Sequence, residues 1–109
     1  MRERWRVAAV EAAQADDRAA RLKEGKSIFL DQLIETLIEN AEKDGEKLPQ
    51  TKAERMARTS QAYKDYLRSM HDARLKASLL QITERDLDRQ YWANVSAEAT
   101  YRAEARASL

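Results

Sequence analysis

The chain has 109 residues, 36% of them charged and only 6% aromatic, so it supports one domain with a thin apolar core. Nineteen alanines with only two glycines and one proline favour a few long helices and argue against folds built from many short strands. The absence of cysteine excludes disulfides and thiolate metal sites, and the net charge of +1 conceals an acidic middle, residues 27–48, that suits association between copies or with another partner.

The first predicted helix covers about residues 2–24. Its small and apolar residues alternate at spacings of four and three, which is typical of a coiled-coil seam. The members are Met1, Trp5, Ala8, Ala12, Ala15, Ala19 and Leu22. Because most are alanine, the partner helix is expected to approach closely. Gly25 is predicted to end this helix.

The second predicted helix covers about residues 28–43, with Ser27 as its N-cap. Its apolar stripe is the strongest in the chain and is predicted to be the centre of the core. The members are Leu30, Leu33, Ile34, Leu37, Ile38 and Ala41. Asp44 and Gly45 are expected to end it, and residues 44–51 form the predicted loop.

The third predicted helix covers about residues 52–107, because Thr51 and Glu54 form a capping box and no glycine or proline follows. A break is considered only near Thr83, where a second capping pattern occurs. The apolar stripe of this helix slips out of heptad phase at two positions, Arg74 and Glu84. Its members are Met56, Tyr63, Leu67, Met70, Ala77, Leu80, Leu87, Tyr91 and Val95. A small-residue row then closes the chain, formed by Val95, Ala99, Ala103 and Ala107.

These elements predict an all-α fold, a single domain over residues 1–109. Two shorter helices pack on a long C-terminal helix in a helical hairpin or coiled-coil-like bundle. Such a long helix leaves apolar surface that a small monomer covers poorly, so a homo-oligomer is expected. The alanine rows at the two ends of the chain are expected to pair closely, within one chain or between two.

The residues that catalysis needs are scarce. His71 is the single histidine, and beside Asp72 on a helix it is expected to be solvated rather than a general base. No Gly-rich loop cradles a phosphate, and no serine has a nucleophile-elbow context. We therefore assign no catalytic, cofactor-binding or metal-binding residues and expect that the protein is not an enzyme.

Positive charge is concentrated after Pro49. The candidate nucleic-acid contacts are Lys52, Arg55, Arg58, Lys64 and Arg68. Tyr63 and Tyr66 are candidates for stacking on the bases of a single strand. The alternatives are a solvated or salt-bridged helix face and a docking surface for an acidic partner helix, and the interrupting acidic residues favour the solvated face.

Trp5 and Trp92 are the largest apolar groups and lie near helix ends. They are either core anchors or interface residues. Tyr91 and Trp92 are adjacent, so on a helix they face different ways and one neighbour does not bury both. Trp5, Tyr91 and Trp92 are therefore the candidate interface residues.

The segment 51–106 resembles a loose class of short helical proteins of tailed bacteriophages and prophages. The likeness is carried by Leu87-Asp88-Arg89, Ala93-Asn94, Glu98, Arg102 and Glu104, after the stretch Ala62-Tyr63-Lys64-Asp65-Tyr66. Such proteins are often encoded near recombination and replication genes. The resemblance implies a phage accessory role and supplies no catalytic or binding residues.

The leading hypothesis is a non-enzymatic interaction protein that acts through helix–helix contacts with itself or with a protein partner. A nucleic-acid-binding accessory of recombination or replication is the alternative, and an inhibitor of a host enzyme or defence system is the third. The N-terminus lacks a signal-peptide core and no apolar run is long enough to span a bilayer, so no membrane association is expected. The expected location is the cytoplasm, that of the host if the chain is phage encoded.

Overall fold

The protein forms a thin helical rod of 93 × 17 × 15 Å in a computed structural model that describes residues 2–107. Three helices follow one another: α1 (Arg2–Lys43), α2 (Gln50–Thr59) and α3 (Gln61–Ala107). α1 and α3 pack antiparallel, and α2 packs on the C-terminal half of α1. The predicted all-α helical hairpin with a long C-terminal helix is confirmed. Met1, the first member of the predicted seam, lies outside the described residues.

α1 is one continuous helix of 42 residues, so the predicted end at Gly25 and the predicted N-cap at Ser27 are wrong. Ala8, Ala12 and Ala15 are buried along the predicted seam. Gly25 lies on the same side, nearly three turns beyond Ala15, and is half-buried. The glycine therefore lies on the side of α1 that faces α3, and it does not end the helix.

The group that approaches Gly25 is the side chain of Tyr66 on α3. Its hydroxyl donates a hydrogen bond of 2.5 Å to the carbonyl oxygen of Leu22. Its ring stacks on Phe29, with centroids 4.5 Å apart and an angle of 19° between the planes. A Cβ atom at position 25 would lie 3.0 Å from the Tyr66 hydroxyl, which is tighter than ordinary contact. The missing side chain therefore leaves room for the Tyr66 hydroxyl beside α1.

Gly45 does end a helix, as predicted. Its φ of +76° lies in the left-handed region that favours glycine. The amide of Gly45 donates to the carbonyl of Glu42 at 3.0 Å, and the amide of Glu46 donates to that of Ala41 at 2.8 Å. These two bonds are the Schellman pattern, which satisfies the last carbonyls of α1.

A cluster of buried apolar residues lies between α1 and α2. Ile34 packs against Ala53 and Ala57, both of which are 0% exposed. Partly buried residues surround them: Leu30, Leu33, Leu37, Ile38 and Leu48. The prediction that the stripe of residues 30–41 is the centre of the core is confirmed. The two alanines allow the α2 backbone to lie close to Ile34.

The predicted capping box at Thr51 does not form, because α2 begins two residues earlier, at Gln50. Pro49 occupies the N-cap position with φ −62° and ψ 146°, and no side chain caps it. Its carbonyl accepts the first helical bond, from Ala53 at 2.9 Å. Thr51 is already inside the first turn, so its hydroxyl is not in the N-cap position. Glu54 instead lies 3.5 Å from the side-chain amide of Gln50.

The long C-terminal segment is broken at Ser60, and not near Thr83. Ser60 is extended, with φ −69° and ψ 151°. Its hydroxyl donates to the carbonyl of Ala57 at 2.6 Å and accepts from the amide of Tyr63 at 3.2 Å. One serine therefore closes α2 and caps α3. Thr83 lies within α3, where its hydroxyl donates to the Leu79 carbonyl at 3.1 Å.

The break at Ser60 changes which side of the chain faces α1. In an unbroken helix, the positions in phase with Ala53 and Ala57 would form a mostly polar and charged row. Its members would be Ser60, Lys64, Leu67, His71 and Arg74. The extended residue shifts this phase, and the buried and half-buried side of α3 then keeps strict spacings of three and four. The row with these spacings is Tyr63, Tyr66, Met70, Ala73, Ala77, Leu80, Glu84, Leu87 and Tyr91, and Leu67, Gln81 and Asp88 beside it are also half-buried. The predicted slips disappear because Ala73, not Arg74, and Glu84 itself belong to the seam.

We expect the substitution Gly25→Ala to stabilise the protein in one background and not in the other. In Tyr66→Phe protein, alanine meets no hydroxyl and gains helix propensity, so stability should rise by about 0.5–1 kcal/mol. In the native background the same change displaces the hydroxyl from Leu22, a bond worth about 1 kcal/mol, and should give no gain. Urea unfolding followed by circular dichroism measures all four proteins. An equal gain in both backgrounds would contradict the role given to Tyr66.

We expect Ser60→Ala to lower the free energy of unfolding by about 1 kcal/mol, because α3 loses its N-cap. Thr59→Ala is the matched control, since the Thr59 hydroxyl is exposed and bonds only within α2, to Arg55 and Met56 carbonyls. Its loss should be smaller than that of Ser60→Ala in the same urea titration. Equal losses would show that Ser60 is not a cap that the fold requires.

Candidate protein interface

The three candidate interface residues lie together at one end of the hairpin. Trp5 comes from the first turns of α1, and Tyr91 and Trp92 come from α3. They line a cleft of about 250 Å³ with Arg2 and Asp88. We call this cluster of five residues the aromatic end. It forms because antiparallel packing brings the beginning of α1 beside the last seam position of α3.

Within the aromatic end, the two adjacent aromatic residues face different ways. Tyr91 occupies the seam and is half-buried, whereas Trp92 points away from it and is 59% exposed. Their ring centroids are 5.4 Å apart, with a T-shaped angle of 77°. Trp5 is 37% exposed. Trp92 is therefore not a core anchor, and the cluster presents apolar rings to the outside.

Beyond the aromatic end, α3 continues as the segment 93–107, which we call the α3 extension. Every residue in it is exposed, including Val95 and, at 73%, Tyr101. At 1.5 Å per residue the extension is about 22 Å long. The alanine row of α1 instead faces the part of α3 that carries Ala73. The predicted small-residue row of residues 95–107 therefore remains on the surface of the chain.

The five basic residues predicted as nucleic-acid contacts are all exposed. Lys52, Arg55 and Arg58 are on α2, and Lys64 and Arg68 are on the first turns of α3, in the half of the rod away from the aromatic end.

The two tyrosines expected to assist those basic residues face α1 instead. Tyr63 is buried, and Tyr66 is held against Phe29 and Leu22. Neither ring is available to stack on a base, so the basic residues have no aromatic platform beside them.

The structure reveals two surface features that the sequence reasoning did not identify. Leu75, Leu79 and Ile82 are more than half exposed and follow one another at helical spacing on the side of α3 away from α1. A cleft of about 590 Å³ runs beside Ala15 and Ala73 and is lined by charges of both signs. The exposed apolar row was detectable in the sequence from its spacings of four and three. The cleft was not, because it depends on how closely α1 and α3 approach each other at their alanines.

No family model, curated protein or solved structure matches this chain. Within residues 2–107, none of the helices has an apolar stretch that would cross a membrane. The function is therefore argued from the aromatic end and the α3 extension themselves.

We expect Trp92→Ala to leave the stability of the dilute protein within about 0.5 kcal/mol of the native value, because the ring is largely exposed. Tyr91→Ala should cost more, about 1–2 kcal/mol, because it removes half-buried apolar area from the seam. Thermal unfolding at low concentration compares the two variants. A larger loss for Trp92→Ala would mean that this ring supports the hairpin and is not available to a partner.

Proposed function

We propose that this protein is a non-enzymatic interaction protein that makes helix–helix contacts with another protein chain through its aromatic end and α3 extension. One observation carries the proposal: α3 runs about 22 Å past the aromatic end with every side exposed. A lone helix of that length is marginal in water, and packing is what stabilises most helices. A second helix beside the extension would supply that packing.

The chemistry of the aromatic end supports the same proposal. Tryptophan and tyrosine are the residues most often found as energetic anchors of protein interfaces, particularly where they line a pocket. Here Trp5, Tyr91 and Trp92 line one cleft, and Asp88 adds a carboxylate at its wall. An incoming helix would bury the exposed face of Trp92 and extend the apolar contact onto Val95.

A phage or prophage origin is part of the proposal and rests on the resemblance of segment 51–106. It places the protein in the cytoplasm of a bacterial host. A protein of this kind would act by holding chains together or by blocking a surface, and both actions need the same contact. An exposed helical segment next to an aromatic cluster serves either purpose.

We expect a photo-crosslinking amino acid placed at Trp92 or at Tyr101 to join the chain to a second protein chain. The same amino acid at Glu39, exposed on α1 at the other end of the rod, is the control and should give little product. The products are separated and identified by mass spectrometry, both from purified protein and from cells that express it. Absence of protein crosslinks at both test positions would contradict the proposal.

The nucleic-acid alternative is tested alongside by light scattering at low and high salt, with single- and double-stranded DNA. We expect DNA to leave the mass of the protein unchanged. If DNA did bind, its phosphates would contact the basic residues of α2 and α3, and the binding would weaken steeply with salt. Replacing Lys52, Arg55, Arg58, Lys64 and Arg68 by glutamine should leave the crosslinks in place. A salt-sensitive shift with DNA that this variant abolishes would favour the alternative.

A further inference from the structure

A second heptad row on α3 begins at the aromatic end and runs along the α3 extension. Its six members follow at spacings of four, three, four, three and four: Asp88, Trp92, Val95, Ala99, Arg102 and Arg106. We call it the outer row. It starts one residue after the seam position Leu87, so it lies about 100° around the helix from the contact with α1. Asp88 is half-buried in the cleft, and the other five residues are exposed.

We propose that the outer row binds the outer row of a second copy of this chain in antiparallel orientation, with Asp88 of each copy against Arg106 of the other. The inference rests on the proposed function, since it names the partner of the same surface. It commits to one register, in which the two-fold axis passes near Ala97.

Charge complementarity selects this partner and this register. In an antiparallel coiled coil, an a position of one helix faces a d position of the other. The first residue of the outer row in one copy therefore pairs with the last residue of the row in the second copy, the second with the fifth, and the third with the fourth. Asp88 then meets Arg106, Trp92 meets Arg102 and Val95 meets Ala99, and each pairing occurs twice. The three contacts are an ion pair, a cation over an indole ring and a small apolar contact.

A parallel arrangement of the same row is unfavourable. It would place Asp88 against Asp88, Arg102 against Arg102 and Arg106 against Arg106. Like charges that face each other across a helix pair are destabilising, and only the central apolar contacts would remain. The order of charges along the outer row therefore determines the orientation of the two chains.

The cleft gives Arg106 of the second copy a defined place. Asp88, Trp5 and Trp92 line it, so an entering guanidinium meets a carboxylate and aromatic side chains. Two contacts oppose docking: Arg2 lines the same cleft, and Glu98 faces Glu98 of the second copy beside the axis. The row from Asp88 to Arg106 is about 27 Å long, so the interface is small. We therefore expect a concentration-dependent dimer rather than a permanent one.

The test is charge reversal with complementation, measured by analytical ultracentrifugation of the full chain over a range of concentrations. Native protein should reach twice the 12.6 kDa mass of one chain. Asp88→Arg and Arg106→Asp should each weaken the dimer at least tenfold, because each places like charges together. Mixing the two variants in equal amounts should restore a dimer, because every 88–106 contact then joins opposite charges. Carrying both changes in one chain should restore it as well.

Asp86→Arg is the matched control, since it makes the same change in charge two residues away and outside the outer row. It should leave the dimer as strong as in the native protein. Circular dichroism confirms that each variant keeps its helices, and Asp88→Asn replaces Asp88→Arg if the larger side chain disturbs the packing of α1. Arg106 is exposed, so Arg106→Asp tests the contact without involving the hairpin.

The inference is overturned if native protein stays monomeric at every concentration, if the single reversals dimerise as well as native protein, or if mixing them restores nothing. A monomer that still crosslinks from Trp92 to a different protein would remove the self-pairing and leave the proposed function standing. No crosslinks and no dimer would remove both.

Discussion

The register of the whole rod depends on one contact, in which the side chain of Tyr66 lies across α1 at Gly25. The hydroxyl reaches the Leu22 carbonyl and the ring stacks on Phe29, so the side chain is held by two residues about two turns apart on α1. Because α1 and α3 are antiparallel rigid helices, a contact that fixes their relative position at one point along the rod fixes it at every other point. Trp5 therefore meets Tyr91, and α3 extends past the beginning of α1.

Small side chains explain why the rod is thin and why large apolar groups remain outside it. The buried positions of the α1–α3 seam are mainly alanines, and Ala53 and Ala57 make the close contact of α2 with Ile34. Alanines bring helix backbones together but bury little area each, so few large side chains fit between them. Trp92 and two leucines of α3, Leu75 and Leu79, consequently remain exposed.

The candidate site was only partly predictable from the sequence. Trp5, Tyr91 and Trp92 were identifiable as interface candidates because they are large, apolar and near helix ends. Their meeting in one cleft with Asp88 was not predictable, because it depends on how far α1 and α3 are shifted relative to each other. The cleft residues of α1 and those of α3 are more than eighty residues apart in the sequence. The exposed basic residues were equally readable, but the loss of Tyr63 and Tyr66 as stacking partners followed only from their burial against α1.

The two glycines separate what the sequence determined from what only the tertiary structure decided. The all-α class, the apolar stripe of residues 30–41 and the helix end at Gly45 follow from composition, periodicity and local backbone preference, which act over a few residues. Gly25 has the same identity but lies inside a helix, where the Tyr66 hydroxyl lies 3.0 Å from the place that a Cβ atom would take. The break at Ser60 has the same origin, since it brings the apolar side of α3 to face α1. Such choices depend on contacts between distant residues, which local patterns do not contain.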